Sequence, residues 1–272
     1  MNESKTPDGV ARNDQRGKDG PNDSPKISGV ILDYGLVLVR SPTKAEFERM
    51  ATMFHVPFEQ FFELWETSRN PYDRGDITAD EYWHGLAMRT NTTLDAAQIS
   101  TLREIEVEIW VHPIPEMIDW IGQLRRGGIK TAVLSNMPLD LAAWVRKNFS
   151  WMDNFTFKTL SAEVRSIKPE PAIYLHTLRG LGVEANEALF VDDREANIRA
   201  AQAMGIHGIQ FSSVGKFRDD LEAIDFPILP GIRRDAQKDA SSDSEESPEK
   251  SSEESSPESP ARGAEKEIKF QL

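Results

Sequence analysis

The 272-residue chain contains no cysteine. That removes disulfides, thiolate zinc sites and a thiol nucleophile, although it says little about compartment. No apolar run reaches the roughly 18 residues that a spanning helix needs, and the N-terminus lacks the apolar core of a signal peptide. A cytoplasmic protein without a membrane partner is the resulting expectation. Basic surplus is lacking too. The net charge is −13, of which residues 235–272 carry −6 (eleven Asp/Glu against five Lys/Arg) and residues 1–26 carry zero, so the middle of the chain holds −7. An acidic body is poor material for gripping phosphate backbones, which argues against nucleic acid as a partner.

Large apolar side chains are scarce at both ends. Residues 1–26 are rich in Asn, Asp, Gly and Lys, and the segment from 231 to 272 is dominated by "SSDSEESPEKSSEESSPESP". Neither can offset its ordering entropy by burial, and both are expected to be disordered extensions. The serines beside acidic residues and prolines fit a solubilising tail, the plainer reading, or a phosphorylation substrate.

Between these ends the sequence becomes structured. "GVILDYGLVLV" (29–39), "IKTAVLSN" and "ALFVDD" are dense in branched aliphatics, as strands buried on both faces are. "PEMIDWIGQLRRGG" and "EPAIYLHTLRGLG" read as helices that stop at glycine. This alternation predicts an α/β fold with a doubly wound, Rossmann-like parallel sheet. After the first strand, residues 43–112 read entirely as helix: "TKAEFERMATMFHV", "PFEQFFELWETS", "TADEYWHGLAMRT" and "LDAAQISTLREIEVEIW", separated by Pro57, "NPYDRGD" and "NTT". Thr78 with Glu81 forms a capping-box signature. The expected organisation is an α/β core of residues 27–42 and 113–230 with an all-helical cap, 43–112, inserted into it.

Strands of parallel α/β sheets deliver functional side chains at their carboxyl ends. Here the three runs end on Asp33, on Ser135 and Asn136, and on Asp192 and Asp193, while "SIKPEP" offers Lys168. A nucleophilic carboxylate, a hydroxyl, a lysine and an acidic pair are parts suited to moving a phosphoryl group through an aspartyl phosphate.

In these residues the chain resembles the haloacid dehalogenase superfamily over Ile27 to about Pro230. "ILDYGLVLV", "TAVLSN", "SIKPEP" and "FVDDREANIRAA" match the family's four motifs in order. Each is weak alone; four in order, each against its expected strand or helix, are specific. The resemblance implies Asp33 as nucleophile and metal ligand. Ser135 and the neighbouring Asn136 amide would hold the transferring phosphoryl oxygens, and Lys168 would neutralise them. Asp192 and Asp193 would hold Mg²⁺, helped by the backbone carbonyl of Gly35, and Asn197 is either an orienting neighbour of that pair or an ordinary polar helix position. Most phosphatases of the family have a second aspartate two residues after the nucleophile, acting as general acid and base; Gly35 stands there instead, and Leu36 follows where small residues are commoner. A subgroup resembling α-glucose-1-phosphate phosphatase shares that glycine and a "GDIT"-like turn in its cap.

The implied activity is a Mg²⁺-dependent phosphatase of a small phosphorylated metabolite, sugar 1-phosphate or acyl phosphate favoured, in a monomer or weak dimer. Cap residues able to meet substrate are Trp65, Tyr72, Arg74, Tyr82, Trp83 and His84, with Tyr72 and Arg74 preferred because they fall between the helical stripes. Three rivals are distinguishable. A 2-haloacid dehalogenase needs no paired acidic metal site, against "FVDD". A phosphorelay receiver has its acidic pair first in the chain, not last. A non-catalytic scaffold built on the same fold would show no metal-dependent turnover.

Overall fold

The computed structural model describes residues 26–226; the expectations for residues 1–25, the last residues of the core (227–230) and the acidic tail lie outside them. A five-stranded parallel sheet forms the centre, in the order β3-β2-β1-β4-β5. Its strands are β1 (Gly29–Leu32), β2 (Lys130–Ser135), β3 (Phe157–Leu160), β4 (Ala188–Asp192) and β5 (His207–Gln210). β1 lies between β2 and β4, with Leu32 opposite Val133 on one side and Val191 on the other. Side chains alternate between the two faces, as the pleat requires. Val30, Leu32, Val133, Leu189 and Val191 join one core, and Ile31, Ala132, Leu134 and Phe190 the other.

Eleven helices are described: α1 (Lys44–Met53), α2 (Phe58–Thr67), α3 (Arg69–Asp73), α4 (Ala79–Arg89), α5 (Ala96–Ile109), α6 (Pro115–Arg126), α7 (Leu139–Asn148), α8 (Ser161–Val164), α9 (Pro171–Leu181), α10 (Glu195–Ala203) and α11 (Val214–Ala223). Met117, Trp120, Leu141 and Phe217, from α6, α7 and α11, cover one sheet face, and Ile173, Tyr174 and Ile198, from α9 and α10, cover the other. The doubly wound arrangement is thus present. None of the described helices is long and apolar enough to cross a membrane.

Helices α1 to α5 form the inserted unit, with an aromatic core of its own around Phe47, Phe54, Phe61 and Trp83. The Thr78–Glu81 capping box is formed: Glu81 N–H donates to the Thr78 hydroxyl at 3.2 Å, and the Glu81 carboxylate accepts from Thr78 N–H at 2.8 Å. One segment differs from the sequence reading. "NPYDRGD", expected as a break, supplies all but the first residue of the short helix α3, which carries Tyr72 into the buried layer.

The cap rests on the core through polar links. Arg103 reaches Asp140 at 2.6 Å, Arg165 reaches Asp76 at 3.0 Å, and Arg74 pairs with Glu170. At Gly75 the two units touch by backbone: φ is +77°, and an added Cβ would lie 2.8 Å from the Ala162 carbonyl oxygen, so only glycine fits. The buried Ser161 hydroxyl accepts from Met137 N–H at 2.9 Å and donates to the Asp73 carbonyl, tying the cap to the segment after β2.

The apolar run after Asp33 is not strand. Leu38 and Val39 N–H both donate to the Tyr34 carbonyl, at 2.9 and 3.1 Å, and Leu36 sits at φ +59°. Val37, Leu38 and Val39 are fully buried, so hydrophobic packing holds a tight loop whose left-handed leucine is otherwise disfavoured. The short outer strands β3 and β5 had no counterpart in the sequence reading.

Candidate active site

The order of the strands reverses at β1, so the crevice of this sheet opens outside the carboxyl ends of β1 and its neighbours. Asp33 is the first residue after β1, and its N–H donates to Val191 O at 2.9 Å, which sets its carboxylate beside the end of β4. Ser135 ends β2, and Asp192 ends β4 with Asp193 following. Lys168 arrives from the loop before α9. Its ammonium lies 2.7 Å from Asp33 Oδ1 and 2.7 Å from Asp192 Oδ2, with 4% of the residue exposed. Asp33, Gly35, Ser135, Asn136, Lys168, Asp193 and Asn197 all line one cavity of about 140 Å³, with Asp192 fully buried behind it.

Neighbouring groups fix this arrangement. The Asn136 side chain clamps the lysine backbone, donating to Lys168 O at 3.0 Å and accepting from Lys168 N–H at 2.8 Å. Its carboxamide is thereby anchored to the lysine loop. Asp192 Oδ1 accepts from Asn197 Nδ2 and from Arg194 N–H, both at 2.9 Å. Asp33 Oδ1 accepts from Tyr34 N–H at 2.6 Å.

Electrostatically the site carries too much negative charge for its lysine. Burial pushes the Asp33 carboxyl up to about 8; Lys168 opposes this, while Asp192 and Asp193 add to it. Burial, then Asp192, push Asp193 up to about 6 against Lys168 and Arg194. Burial alone would lower the Lys168 ammonium, but Asp192 and Asp33 outweigh it and hold the group above its ordinary value. The carboxylates of Asp33, Asp192 and Asp193 bring oxygens within 4.8 Å of one another. Three hard oxygen donors around one ammonium fit a small divalent cation such as Mg²⁺, which would balance the surplus charge.

The cap side of the cavity contains one of the expected residues, Trp65, and several that were not expected. Trp65, Glu66, Arg69, Asn70 and Asp73 line it, together with Trp110 at the end of α5. Of the sequence candidates, Trp65 reaches the cavity and Tyr72 and Arg74 do not. Tyr72 is buried, donates to Glu106 at 3.0 Å and stacks on Tyr82 with ring centroids 4.4 Å apart. Arg74 is held by Glu170 and Asp76. Tyr82 and Trp83 are core, and the exposed His84 bonds the Asp80 carbonyl. Arg69 was missed because its deepest partner, Glu106, lies 37 positions away in the chain. It makes ion pairs with Asp73 (2.6 Å) and Glu106 and lies 4.7 Å from the Trp65 ring centre.

A family model described as haloacid dehalogenase-like hydrolase matches residues 30–205. The chain belongs to that family. Acyl-CoA dehydrogenase family member 10 of Mus musculus is 31% identical over 223 residues, 75% of this chain but only 20% of the relative, so the chain spans one fifth of that protein's length. A sesquiterpene phosphatase of Aspergillus oryzae is 28% identical over 152 residues, covering 55% of this chain and 73% of the relative. Among solved structures, a haloacid dehalogenase family enzyme from Bacteroides thetaiotaomicron is 25% identical with a TM-score of 0.59, covering 68% of this chain and 94% of that one. The same Bacteroides enzyme is also known in complex with magnesium and inorganic phosphate. This chain is thus a haloacid dehalogenase-like hydrolase with phosphatases among its relatives.

Proposed function

We propose that this hydrolase is a Mg²⁺-dependent phosphatase of small phosphorylated metabolites, working through an aspartyl phosphate on Asp33. The observation that carries the reading is the buried Lys168 ammonium, 2.7 Å from both Asp33 and Asp192, beside Asp193. An Asp33 oxygen attacks phosphorus as the bond to the leaving oxygen breaks; water then attacks the acyl phosphate, releasing inorganic phosphate and restoring the carboxylate. Lys168, the Ser135 hydroxyl and the Asn136 main-chain N–H receive the charge on the phosphoryl oxygens. A divalent cation held by Asp33, Asp192, Asp193 and the Gly35 carbonyl would screen the repulsion between carboxylate and phosphate dianion.

With no acidic side chain at position 35, the leaving oxygen takes its proton from solvent, which favours leaving groups that are already stable. The glycine shared with the α-glucose-1-phosphate phosphatase group points the same way, towards sugar 1-phosphates or acyl phosphates. The acidic pair beside the nucleophile counts against a 2-haloacid dehalogenase, whose attack on carbon needs no metal. The test is acid-quenched incorporation of labelled phosphate, with Mg²⁺ and with EDTA, in wild type and Asp33→Asn. Label and turnover are expected only in wild type with metal. Unchanged turnover in a folded Asp33→Asn protein overturns the mechanism, and a folded wild type without metal-dependent turnover supports the scaffold alternative.

A further inference from the structure

Resting on the phosphatase reading, we infer that the cavity selects phosphate esters whose leaving group is uncharged and presents a flat apolar face, and discriminates against leaving groups that carry a second anion. The first observation is electrostatic. Among the described residues only three cationic side chains line the cavity, and each is ion-paired: Lys168 to Asp33 and Asp192, Arg69 to Asp73 and Glu106, and Arg194 to Glu66 at 3.2 Å. These five carboxylates and the cavity-lining Asp193 make six against three cations, so a divalent ion would still leave the formal charge of the surroundings negative before the phosphoryl group enters. A carboxylate or second phosphate on the leaving group would lose water without meeting a free partner. Arg74, the cation that could have filled this need, is engaged outside the cavity by Glu170 and Asp76.

The second observation is steric. A Cβ added at Gly35 would lie 3.3 Å from Cζ3 of Trp110 and 3.8 Å from its Cη2, so the six-membered edge of the indole occupies the space beside the loop that follows Asp33. The Tyr34 hydroxyl, donating to Trp110 O at 2.8 Å, holds the tryptophan backbone there. Trp65, Leu36, Met137 and Leu141 complete the apolar wall. Aromatic and aliphatic surface of this kind binds a planar unsaturated group and offers nothing to a charged one.

Phenyl phosphate and 3-carboxyphenyl phosphate test the inference, because they differ by one carboxylate and release phenols of nearly equal acidity. In the full chain with Mg²⁺, kcat/KM should favour phenyl phosphate by at least about tenfold. Calorimetry on the metal-loaded Asp33→Asn protein should give the same order of affinity. Glu66→Gln, which frees Arg194, should narrow the ratio by about threefold or more. Trp110→Ala should weaken phenyl phosphate by about fivefold. Equal handling of the two esters, or no binding of phenyl phosphate to the folded protein, overturns the inference. If neither ester is turned over, the phosphatase reading fails, while the two affinities still decide the charge selection.

Discussion

Replacing Lys168 by methionine tests whether one buried ammonium holds the ends of three chain segments together. In the native fold Lys168 Nζ is 2.7 Å from Asp33 and from Oδ2 of the fully buried Asp192, whose Oδ1 accepts from Asn197 and Arg194. Lys168→Met preserves most of the stem volume but leaves Asp33 and Asp192 without their cation. Removing one partner of a buried ion pair costs about 3–5 kcal/mol. Asp33 is already pushed up by burial and by its acidic neighbours, so protonation relieves part of the loss. The lower end, about 3 kcal/mol at neutral pH without metal, is therefore expected. Urea unfolding in EDTA reads this directly. The exposed lysine of the Lys216–Asp220 pair is the control, and Lys216→Met should change stability by no more than about 0.5 kcal/mol. Mg²⁺ should stabilise Lys168→Met in EDTA-free buffer, because a divalent ion supplies the missing positive charge; at about 100 times its Kd such a ligand contributes about 2.7 kcal/mol. A loss below about 1 kcal/mol in EDTA would mean that Lys168 is not the counter-ion on which this cluster depends.

Other perturbations follow from the same geometry. Asn136→Ala strips both clamping bonds from the Lys168 backbone and should cost about 1–3 kcal/mol, with kcat falling more than KM rises; wild-type kinetics would remove the clamp from the argument. Gly35→Asp alone should not restore a general acid, since its Cβ meets Trp110 at 3.3 Å, whereas Gly35→Asp with Trp110→Ala should raise rates on alkyl phosphates by up to about 10²; a single mutant that already flattens the dependence on leaving-group pKa refutes this. Glu46, where α1 begins, is held at about 2 mainly by hydrogen bonds from Arg40, so its folded value lies below the unfolded 4.5. Its stabilisation is complete above about 4.5 and is lost as pH falls towards 2, so Glu46→Gln should flatten the acid limb of an unfolding-versus-pH curve in that window.

The sequence could be read wherever burial was two-sided or periodic. β1, β2 and β4 are covered on both faces, so each needs an uninterrupted aliphatic run, and each run ends near the residue that the crevice uses. The cap helices declared themselves by their 3.6-residue stripes and, at Thr78, by a capping box. β3 and β5 escaped because edge strands need burial only in part: "FKTL" and "HGIQ" contain a lysine, a glycine and a histidine and no aliphatic run. Tyr72 was misplaced for a different reason. A break between helical stripes suggests exposure, yet a tyrosine in a one-turn helix can bury its ring if an acceptor waits inside, and Glu106 on α5 is that acceptor. The pairing of Arg69 with Glu106 likewise joins residues 37 positions apart, a relation that no local pattern records.

Gly35 and Trp110 are best understood as one feature. Read along the sequence, Gly35 is only a missing carboxyl, and the natural inference is an emptier site. In the fold the two ends of the insertion run side by side: Arg40 N–H donates to His112 O at 2.9 Å, and Ile114 N–H donates to Leu38 O at 2.8 Å. Trp110 stands just before this return crossing, and so the cap's exit from α5 brings an indole against the loop that carries Asp33. A side chain at position 35 would crowd this tryptophan, its Cβ lying 3.3 Å from Cζ3. Where an acidic side chain is absent at position 35 an aromatic wall stands instead, and under the proposed mechanism that wall would hold a leaving group that departs without a proton from position 35. The two properties reinforce each other: aryl and enol oxyanions are weak bases and their flat groups are good partners for an indole, whereas simple alkyl alcohols are neither. The steepness of the leaving-group dependence and its sensitivity to Trp110 should accordingly change together, and a Trp110 variant that relaxed one while sparing the other would separate them.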